Sequence, residues 1–274
     1  MEKVVIIGLG EVGSALHSFF KSSGKFEVYG YDVDPQKSIN KLDEIPRNVD
    51  FLHIALPYTE KFVDMVNYYV FLLNPQHIVI HSTVAPGTTR RVFEKAGKPT
   101  AFSPVRGKHP NILRHLSFWP KWIASLPQGS LSVFALHHTL AGFKVREYYG
   151  DPESLELAKL WETVYRAIMI ASWQEIHRIA IKFNADITTI AEFVGEVHKV
   201  LYDRPIYYPS YIGGHCLIPN TMILNSVAPS KLFEFVLESN EKRLNELKNE
   251  KIYRDVEKLK QVVQEYINKE YYSI

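Results

Sequence analysis

Short apolar runs alternate with amphipathic stretches along the first half of the chain. Candidate strands are Lys3 to Gly8, Glu27 to Tyr31, Phe51 to Ala55, His77 to His81, Thr100 to Phe102 and Trp122 to Ala124. Their nearly unbroken apolar character suits strands buried on both faces, as in a parallel sheet covered by helices. Helical stretches fall between them, for example Val12 to Phe20 and Glu60 to Phe71. A helix near Leu131 to Leu140 and a strand near Phe143 to Tyr148 complete this layer.

The pattern changes at Gly150. Asp151 is placed to cap a helix, with Pro152 at its first position and Glu153 in its first turn. The helical period then runs to about Phe183, with Leu157, Leu160, Trp161, Val164, Ile168 and Ala171 as its apolar stripe. Lys159, Thr163, Arg166 and Ile170 fall on the opposite face, and Glu175 falls on the stripe, where it needs a structural partner. More helix is expected from Asp186 to Leu201, then a loop rich in Pro, Tyr and Gly from Asp203 to Asn220, then helix from about Ser230 to the end. The fold class is therefore α/β, a Rossmann-like doubly wound parallel sheet followed by a smaller all-helical domain. Residues 1–150 form the sheet domain, 151–240 a helical substrate and dimerisation domain, and 241–274 a helical tail. Leu244, Leu247, Val256, Leu259 and Val263 give the tail an apolar face for packing or dimer contact.

Charge and composition narrow the function. With 32 basic and 30 acidic residues the net charge is +2, and no basic run marks a nucleic-acid surface. Apolar runs fall short of the roughly 20 residues a membrane span needs, and no signal peptide is visible. The single cysteine, Cys216, excludes an intrachain disulfide and fits a reducing cytoplasm. The 11 histidines lack metal-ligand spacing, His137 and His138 being adjacent rather than a turn apart, so no metal is expected.

Gly8-Leu9-Gly10-Glu11-Val12-Gly13 carries the chemistry of the first domain. The pattern follows a strand and opens a helix. Gly8 permits the tight turn, Gly10 lets backbone approach a pyrophosphate, and Gly13 lets the helix sit close to the sheet. Asp32 ends the second strand, where a carboxylate binds both ribose hydroxyls and repels a 2′-phosphate, favouring NAD. Glu11, Val12, Ala55, Pro57, Ser82 and Thr83 are the further positions expected along the cofactor. Another adenosine cofactor, such as S-adenosylmethionine, is the alternative, because fold does not fix chemistry.

Three later segments resemble the nucleotide-sugar 6-dehydrogenases of the UDP-glucose and GDP-mannose type. They are His81-Ser82-Thr83-Val84-Ala85-Pro86-Gly87-Thr88-Thr89, Leu157-Ala158-Lys159 with Glu175 beyond it, and Gly213-Gly214-His215-Cys216. The resemblance implies oxidation of a sugar alcohol with NAD. It makes Cys216 the nucleophile toward an aldehyde, Lys159 the cation beside the reacting oxygen, and Thr83 a group near the nicotinamide. It implies a homodimer built on the long helix, and substrate contacts from Gly213, Gly214 and His215. Arg106, Lys108 and His109, in a loop expected to face the cofactor cleft, suit a phosphate or carboxylate.

The chain departs from the family at three site positions. Val105 in Ser103-Pro104-Val105-Arg106 stands where relatives carry a glutamate, Thr163 where they carry asparagine, and Asn220 where they carry aspartate. Where the resemblance implies a C-terminal nucleotide-binding domain, a helical tail from about Arg243 to Ile274 is expected instead. Losing a carboxylate at 105 removes a proton acceptor, and Asn220 keeps hydrogen bonding without basicity. The expectation is a single alcohol-to-carbonyl hydride transfer on a small polar, anionic or nucleotide-sugar substrate. Its rival is a non-catalytic NAD-binding homologue.

Overall fold

The computed structural model describes residues 1–267. Seven strands form one sheet: β1 (Glu2–Ile7), β2 (Phe26–Tyr31), β3 (Phe51–Ile54), β4 (His77–Ile80), β5 (Thr100–Phe102), β6 (Lys121–Leu126) and β7 (Val145–Glu147). Around them run α1 (Glu11–Ser22), α2 (Phe62–Leu73), α3 (Thr88–Ala96), α4 (Ile112–Phe118) and α5 (Leu131–Ala141). The remaining helices are α6 (Pro152–Lys182), α7 (Ile187–Leu201), α8 (Leu217–Val227), α9 (Lys231–Glu246) and α10 (Glu250–Val263). The fold is a Rossmann-like, mostly parallel sheet flanked by helices and followed by an all-helical region.

Two details differ from the sequence pattern. Strand β6 runs antiparallel to β5, with Phe102 opposite Ala124, so the sheet is not wholly parallel. Apolar runs report burial on both faces but carry no sign of direction, which is why this reversal is not readable. The expected loop to Asn220 ends earlier, because α8 already begins at Leu217. The last part of the expected tail, residues 268–274, lies outside the described residues.

The strand order is β2-β1-β3-β4-β5-β6-β7. Strands β2 and β3 lie on either side of β1, so chain direction across the sheet reverses between β1 and β3. That crevice, at the carboxyl ends of the strands, is where open α/β sheets bind ligands. Successive residues of β1 serve opposite faces: Val4 and Ile6 join Leu16, Phe20 and Phe134, whereas Val5 and Ile7 join Leu52, Val66 and Ile80. This alternation is the period-two geometry of a strand with helices on both sides.

The chain divides into two compact units, the first ending at Lys159 and the second beginning at Leu160. The division falls inside α6. In the second unit, Leu160 and Val164 pack with Leu224 and Phe233, Ala167 and Ala171 with Ile212 and Val236, and Trp173 and Ala180 with Ile187 and Leu259. The expected stripe of α6 holds at Leu160, Val164, Ile168 and Ala171 and fails at Leu157, 44% exposed, and Trp161, 46% exposed. Thr163, Gln174 and His177 are buried beside it, because the contact row accepts polar side chains whose bonds are met.

Candidate functional site

The glycine turn is held shut by contacts a side chain would forbid. Gly8 has φ +87°, a left-handed backbone conformation that favours glycine. A Cβ on Gly13 would stand 1.7 Å from the Gly8 carbonyl oxygen, so helix α1 reaches this close to β1 only through a bare backbone. A Cβ on Gly10 meets nothing within 4 Å. Gly13 is therefore required by the protein's own packing, and Gly10 fronts open space where an anion can come close. The first bond inside α1 runs from Ser14 N to Gly10 O at 2.9 Å. The amides of Glu11, Val12 and Gly13 precede it and stand at the positive end of the helix dipole.

Asp32 ties this turn to the second strand. Its Oδ2 accepts from Leu9 N at 2.7 Å and its Oδ1 from Asp34 N at 2.8 Å. The carboxylate is thus fixed beside the turn with lone pairs left for ribose hydroxyls. Two clefts open next to it. One of about 1010 Å³ is lined by Asp32, Val33, Ser38, Asn40 and Arg47 among others, and one of about 460 Å³ by Val33, Leu56, Pro57 and Tyr68 among others. A third, about 620 Å³, lies over the turn itself, between Gly10, Glu11, Ser14, Lys37 and His109. These features fit an adenine dinucleotide: bare helix amides for the pyrophosphate, a held carboxylate for ribose, and apolar walls at Val33, Leu56 and Pro57.

Of the expected cofactor positions, Ala55 donates its backbone N–H to Ile7 O at 2.9 Å and backs the Gly8 turn. Ser82 is buried, and Thr83 half-buried, in the loop after β4. That loop is anchored by Glu156, a residue sequence reasoning did not single out. Its Oε2 accepts from Gly87 N at 2.6 Å, and its Oε1 from Thr89 N at 2.8 Å and Thr89 Oγ1 at 2.7 Å. A carboxylate from the first turns of α6 thereby caps α3, whose own cap residue, Gly87, has no side chain to do so. The signal was available as an acidic residue inside an apolar helix start.

The three basic side chains of the loop after β5 have different neighbours. Arg106 donates from Nη2 to Pro120 O at 2.7 Å and lies 4.7 Å from the centre of the Trp119 ring. His109 Nδ1 stands 2.9 Å from Glu11 Oε1, so two expected ligand contacts face each other over the glycine turn. Lys108 donates its backbone N–H to His115 Nδ1 at 2.9 Å. Val105, where relatives carry glutamate, is 6% exposed and belongs to the hydrophobic core.

In the second unit, Gly213, Gly214, His215 and Cys216 are exposed, and Cys216 is the residue preceding α8. Asn220 N donates to Cys216 O at 2.9 Å, and Asn220 Nδ2 to Thr163 Oγ1 at 2.8 Å, so these expected site residues share one cluster. The segment leading to the glycines is clamped by α9. Asn240 Oδ1 accepts from Ile212 N at 2.7 Å, its Nδ2 donates to Ile212 O at 3.2 Å, and Gln174 Nε2 donates to Ser210 O at 2.8 Å. Arg243, fully buried, donates to Gln174 O at 2.8 Å. Glu175, expected on the buried stripe, is instead exposed and pairs with Arg178 at 2.9 Å.

The histidines judged scattered along the sequence are gathered in the fold. Among the described residues, His53, His81 and His138 bring ring nitrogens within 4.8 Å of one another, all buried. No linear spacing foretells this, because His53 and His81 meet through sheet register and His138 through the packing of α5 on the sheet.

Sequence comparisons agree with this architecture. Residues 153–246 match the UDP-glucose/GDP-mannose dehydrogenase family, central domain, and residues 1–83 match the D-isomer specific 2-hydroxyacid dehydrogenase, NAD binding domain. A UDP-N-acetyl-D-mannosamine dehydrogenase of Methanocaldococcus jannaschii is 24% identical over 88% of this chain and 65% of its own length. A UDP-glucose 6-dehydrogenase of Campylobacter jejuni is 25% identical over 88% of this chain and 72% of its own. Among solved structures, the UDP-D-ManNAc dehydrogenase of Pyrococcus horikoshii superimposes with TM-score 0.75 at 18% identity, covering 88% of this chain and 68% of that one. A 3-hydroxyisobutyrate dehydrogenase of Mycobacterium tuberculosis superimposes with TM-score 0.66 at 14% identity, covering 94% and 99%. The chain is thus similar to nucleotide-sugar dehydrogenases over most of its length, and its first 83 residues to an NAD-binding domain. It spans about two thirds of the length of the curated relatives it matches. Among the described residues no helix is long and apolar enough to cross a membrane.

Proposed function

We propose that the protein is an NAD-dependent oxidoreductase that takes a hydride from an alcohol of a small polar, anionic substrate, with a nucleotide sugar the first candidate. The observation that carries this reading is the glycine turn, where Gly13 is demanded by packing and Gly10 by open space, beside a fixed Asp32. Bound there, the dinucleotide supplies the hydride acceptor. Asp32 holds ribose hydroxyls and repels a 2′-phosphate, which selects NAD over NADP. Glu11, Val12 and Gly13 offer amides to the pyrophosphate, and Ala55, Pro57, Ser82 and Thr83 complete the cofactor side.

Lys159 stabilises negative charge as the alcohol loses its proton. Cys216, exposed after two glycines, is open to a substrate, with Thr163 and Asn220 setting the start of its helix. Arg106, Lys108, His109, Gly213, Gly214 and His215 are the substrate contacts in this reading. Val105 argues for one hydride transfer rather than two, since a core valine offers no base to a hydrolytic step. Leu157, Trp161 and Tyr165, each exposed at four-residue spacing along α6, supply an apolar row suited to a homodimer.

The test is NADH formation with UDP-glucose, UDP-N-acetylmannosamine and 3-hydroxyisobutyrate, in wild type and Lys159→Ala. Turnover that falls about 10²-fold or more in the variant supports the assignment. Tight NAD binding with no turnover on any alcohol identifies a binding protein instead. Stabilisation by S-adenosylmethionine and indifference to NAD overturns the cofactor reading.

A further inference from the structure

Five protonatable side chains form one hydrogen-bonded series through the first unit. Glu2 Oε2, on β1, stands 3.3 Å from His137 Nδ1, on α5. His137 Nε2 is 3.0 Å from His53 Nε2, on β3, and His53 Nδ1 is 2.8 Å from His81 Nε2, at the end of β4. His81 Nδ1 is 3.1 Å from Lys121 Nζ, on β6, which also donates to Ser103 O at 2.5 Å and Pro104 O at 3.1 Å. His53, His81, His137 and Lys121 are at most 3% exposed, whereas the Glu2 side chain is 44% exposed. Sheet register puts Ile7, Ile54 and Ile80 at one level, so His81 lies one residue above it and Glu2 five below. The series therefore spans about 20 Å of strand length. It passes through a core of Val4, Ile6, Phe51, Val79 and Phe134, where hydrocarbon would pack with no polar group to satisfy.

A metal is the first explanation to weigh, since His53, His81 and His138 converge. The geometry of the first two argues against it. Their rings are within 5° of coplanar with centres 5.1 Å apart, so the 2.8 Å contact is end to end and each lone pair points at the other nitrogen. Two nitrogens around a tetrahedral zinc stand about 3.3 Å apart, both aimed at a common centre. The gap here is the size of a shared proton.

We infer that this series is a one-proton shuttle connecting Lys121, beneath the loop after β5, with Glu2 at the opposite end of the sheet. Its use rests on the oxidation proposed above, in which the alcohol hydroxyl gives up a proton as its carbon gives up a hydride. A proton arriving at the Lys121 amine passes to His81 Nδ1. The proton on His81 Nε2 then moves to His53 Nδ1, that on His53 Nε2 to His137 Nε2, and that on His137 Nδ1 to the Glu2 carboxylate. One proton enters, one leaves, and no interior ring keeps a charge. In the shifted state His81 Nδ1–H donates to Ser103 O, 2.7 Å away, whereas before the shift that nitrogen accepts from Lys121 Nζ at 3.1 Å. The reverse shift takes up a proton at Glu2 and delivers one to Lys121, the direction that reduction of the carbonyl requires, and so restores the starting tautomers.

Burial holds His53, His81 and Lys121 well below their ordinary values, and Lys159 and Arg106 add repulsion at Lys121, which favours the uncharged forms along the series. The other titratable groups facing it are His138 beside His53 and His81, and His77 and Asp50 beside His137. His137 in turn lowers Glu2.

The test reads tautomers by nitrogen-15 NMR of histidine-labelled full-length protein. With Glu2 ionised, His137 must donate to it, which fixes protons on Nε2 of both His53 and His81. Glu2→Gln frees that end, and His81 is expected to move its proton to Nδ1, six residue levels from the substitution. A change confined to His137 overturns the shuttle and leaves a packed cluster. A cobalt absorption band on titration with Co(II), lost in His138→Phe, overturns it in favour of a metal site. In turnover, His53→Phe is expected to lower kcat about 10²-fold with KM and NADH affinity unchanged. Absence of any turnover defeats the oxidation reading alone, since the Glu2→Gln experiment needs no substrate.

Discussion

Asn220 donates its side-chain amide to the Thr163 hydroxyl at 2.8 Å, and the hydroxyl in turn donates to Leu160 O at 2.9 Å. Both are site positions only by the resemblance, and here they form a closed, buried pair. The pair joins the long helix α6 to α8, whose preceding residue is Cys216.

Replacing the acceptor should expose that dependence. Thr163→Val strands a buried amide and is expected to cost about 1–3 kcal/mol in urea unfolding. Reaction of Cys216 with iodoacetamide should change in rate in the same variant, because the first turn of α8 loses its tether. Unchanged stability would mean that Asn220 finds water.

The two glycines of the turn should respond in opposite ways to one methyl group. Gly13→Ala places carbon against the Gly8 carbonyl and is expected to cost about 3 kcal/mol or more, with loss of dinucleotide binding. Gly10→Ala should fold with an unchanged melting temperature and bind NADH at least about tenfold more weakly, the methyl standing where phosphate must approach. Calorimetry and thermal unfolding on both proteins separate the two roles.

Cofactor choice is expected to lie with Asp32. Asp32→Ala removes the ribose contact and the repulsion of a 2′-phosphate together. NAD affinity should fall about tenfold or more while NADP affinity falls less or rises. An equal loss for both would reduce Asp32 to its bond with Leu9.

Much of this was legible in order along the chain. The strands, the glycine turn and the long helix announce themselves through local periodicity and through residues whose neighbours in sequence are neighbours in space. The direction of β6 was not legible, nor was the meeting of His53, His81 and His137, because both depend on which strands lie side by side and which helix covers them. Glu156 was passed over for a related reason: its partners, Gly87 and Thr89, lie nearly 70 residues away. The stripe of α6 was legible at Leu160, Val164, Ile168 and Ala171 but not at its edges, since Gln174 and His177 are buried through bonds to distant segments while Leu157 and Trp161 stay outside.

Acid should unfold the protein early. Unfolded, the buried rings of His53, His81 and His138 take up protons near 6.5, whereas burial keeps them neutral to far lower pH in the folded state. Below that value the unfolded chain binds more protons, so this part of the stability is complete above it and drains as pH falls. Each ring contributes up to about 1.4 kcal/mol per pH unit. Urea midpoints at about pH 7.5 and about pH 5.5 should differ strongly, and less so in His138→Phe. A flat profile would mean that the rings are already charged in the native state.

Oligomerisation should depend on the outward row of α6. Trp161→Asp is expected to shift sedimentation toward the monomer without loss of helix content, since the indole is half-exposed in the single chain. An unaltered sedimentation coefficient would clear this row of that duty.

Asn240 grips Ile212 by both its N–H and its carbonyl, and α8 becomes regular at Leu217. Only four residues are strung between these fixed points, and Gly214 is turned left-handed within them. The thiol therefore rides on a bridge too short to sag. Its reach toward any reactant is bounded by the two piers, and lengthening the span by even one residue would cost the loop its aim before it cost the fold its stability.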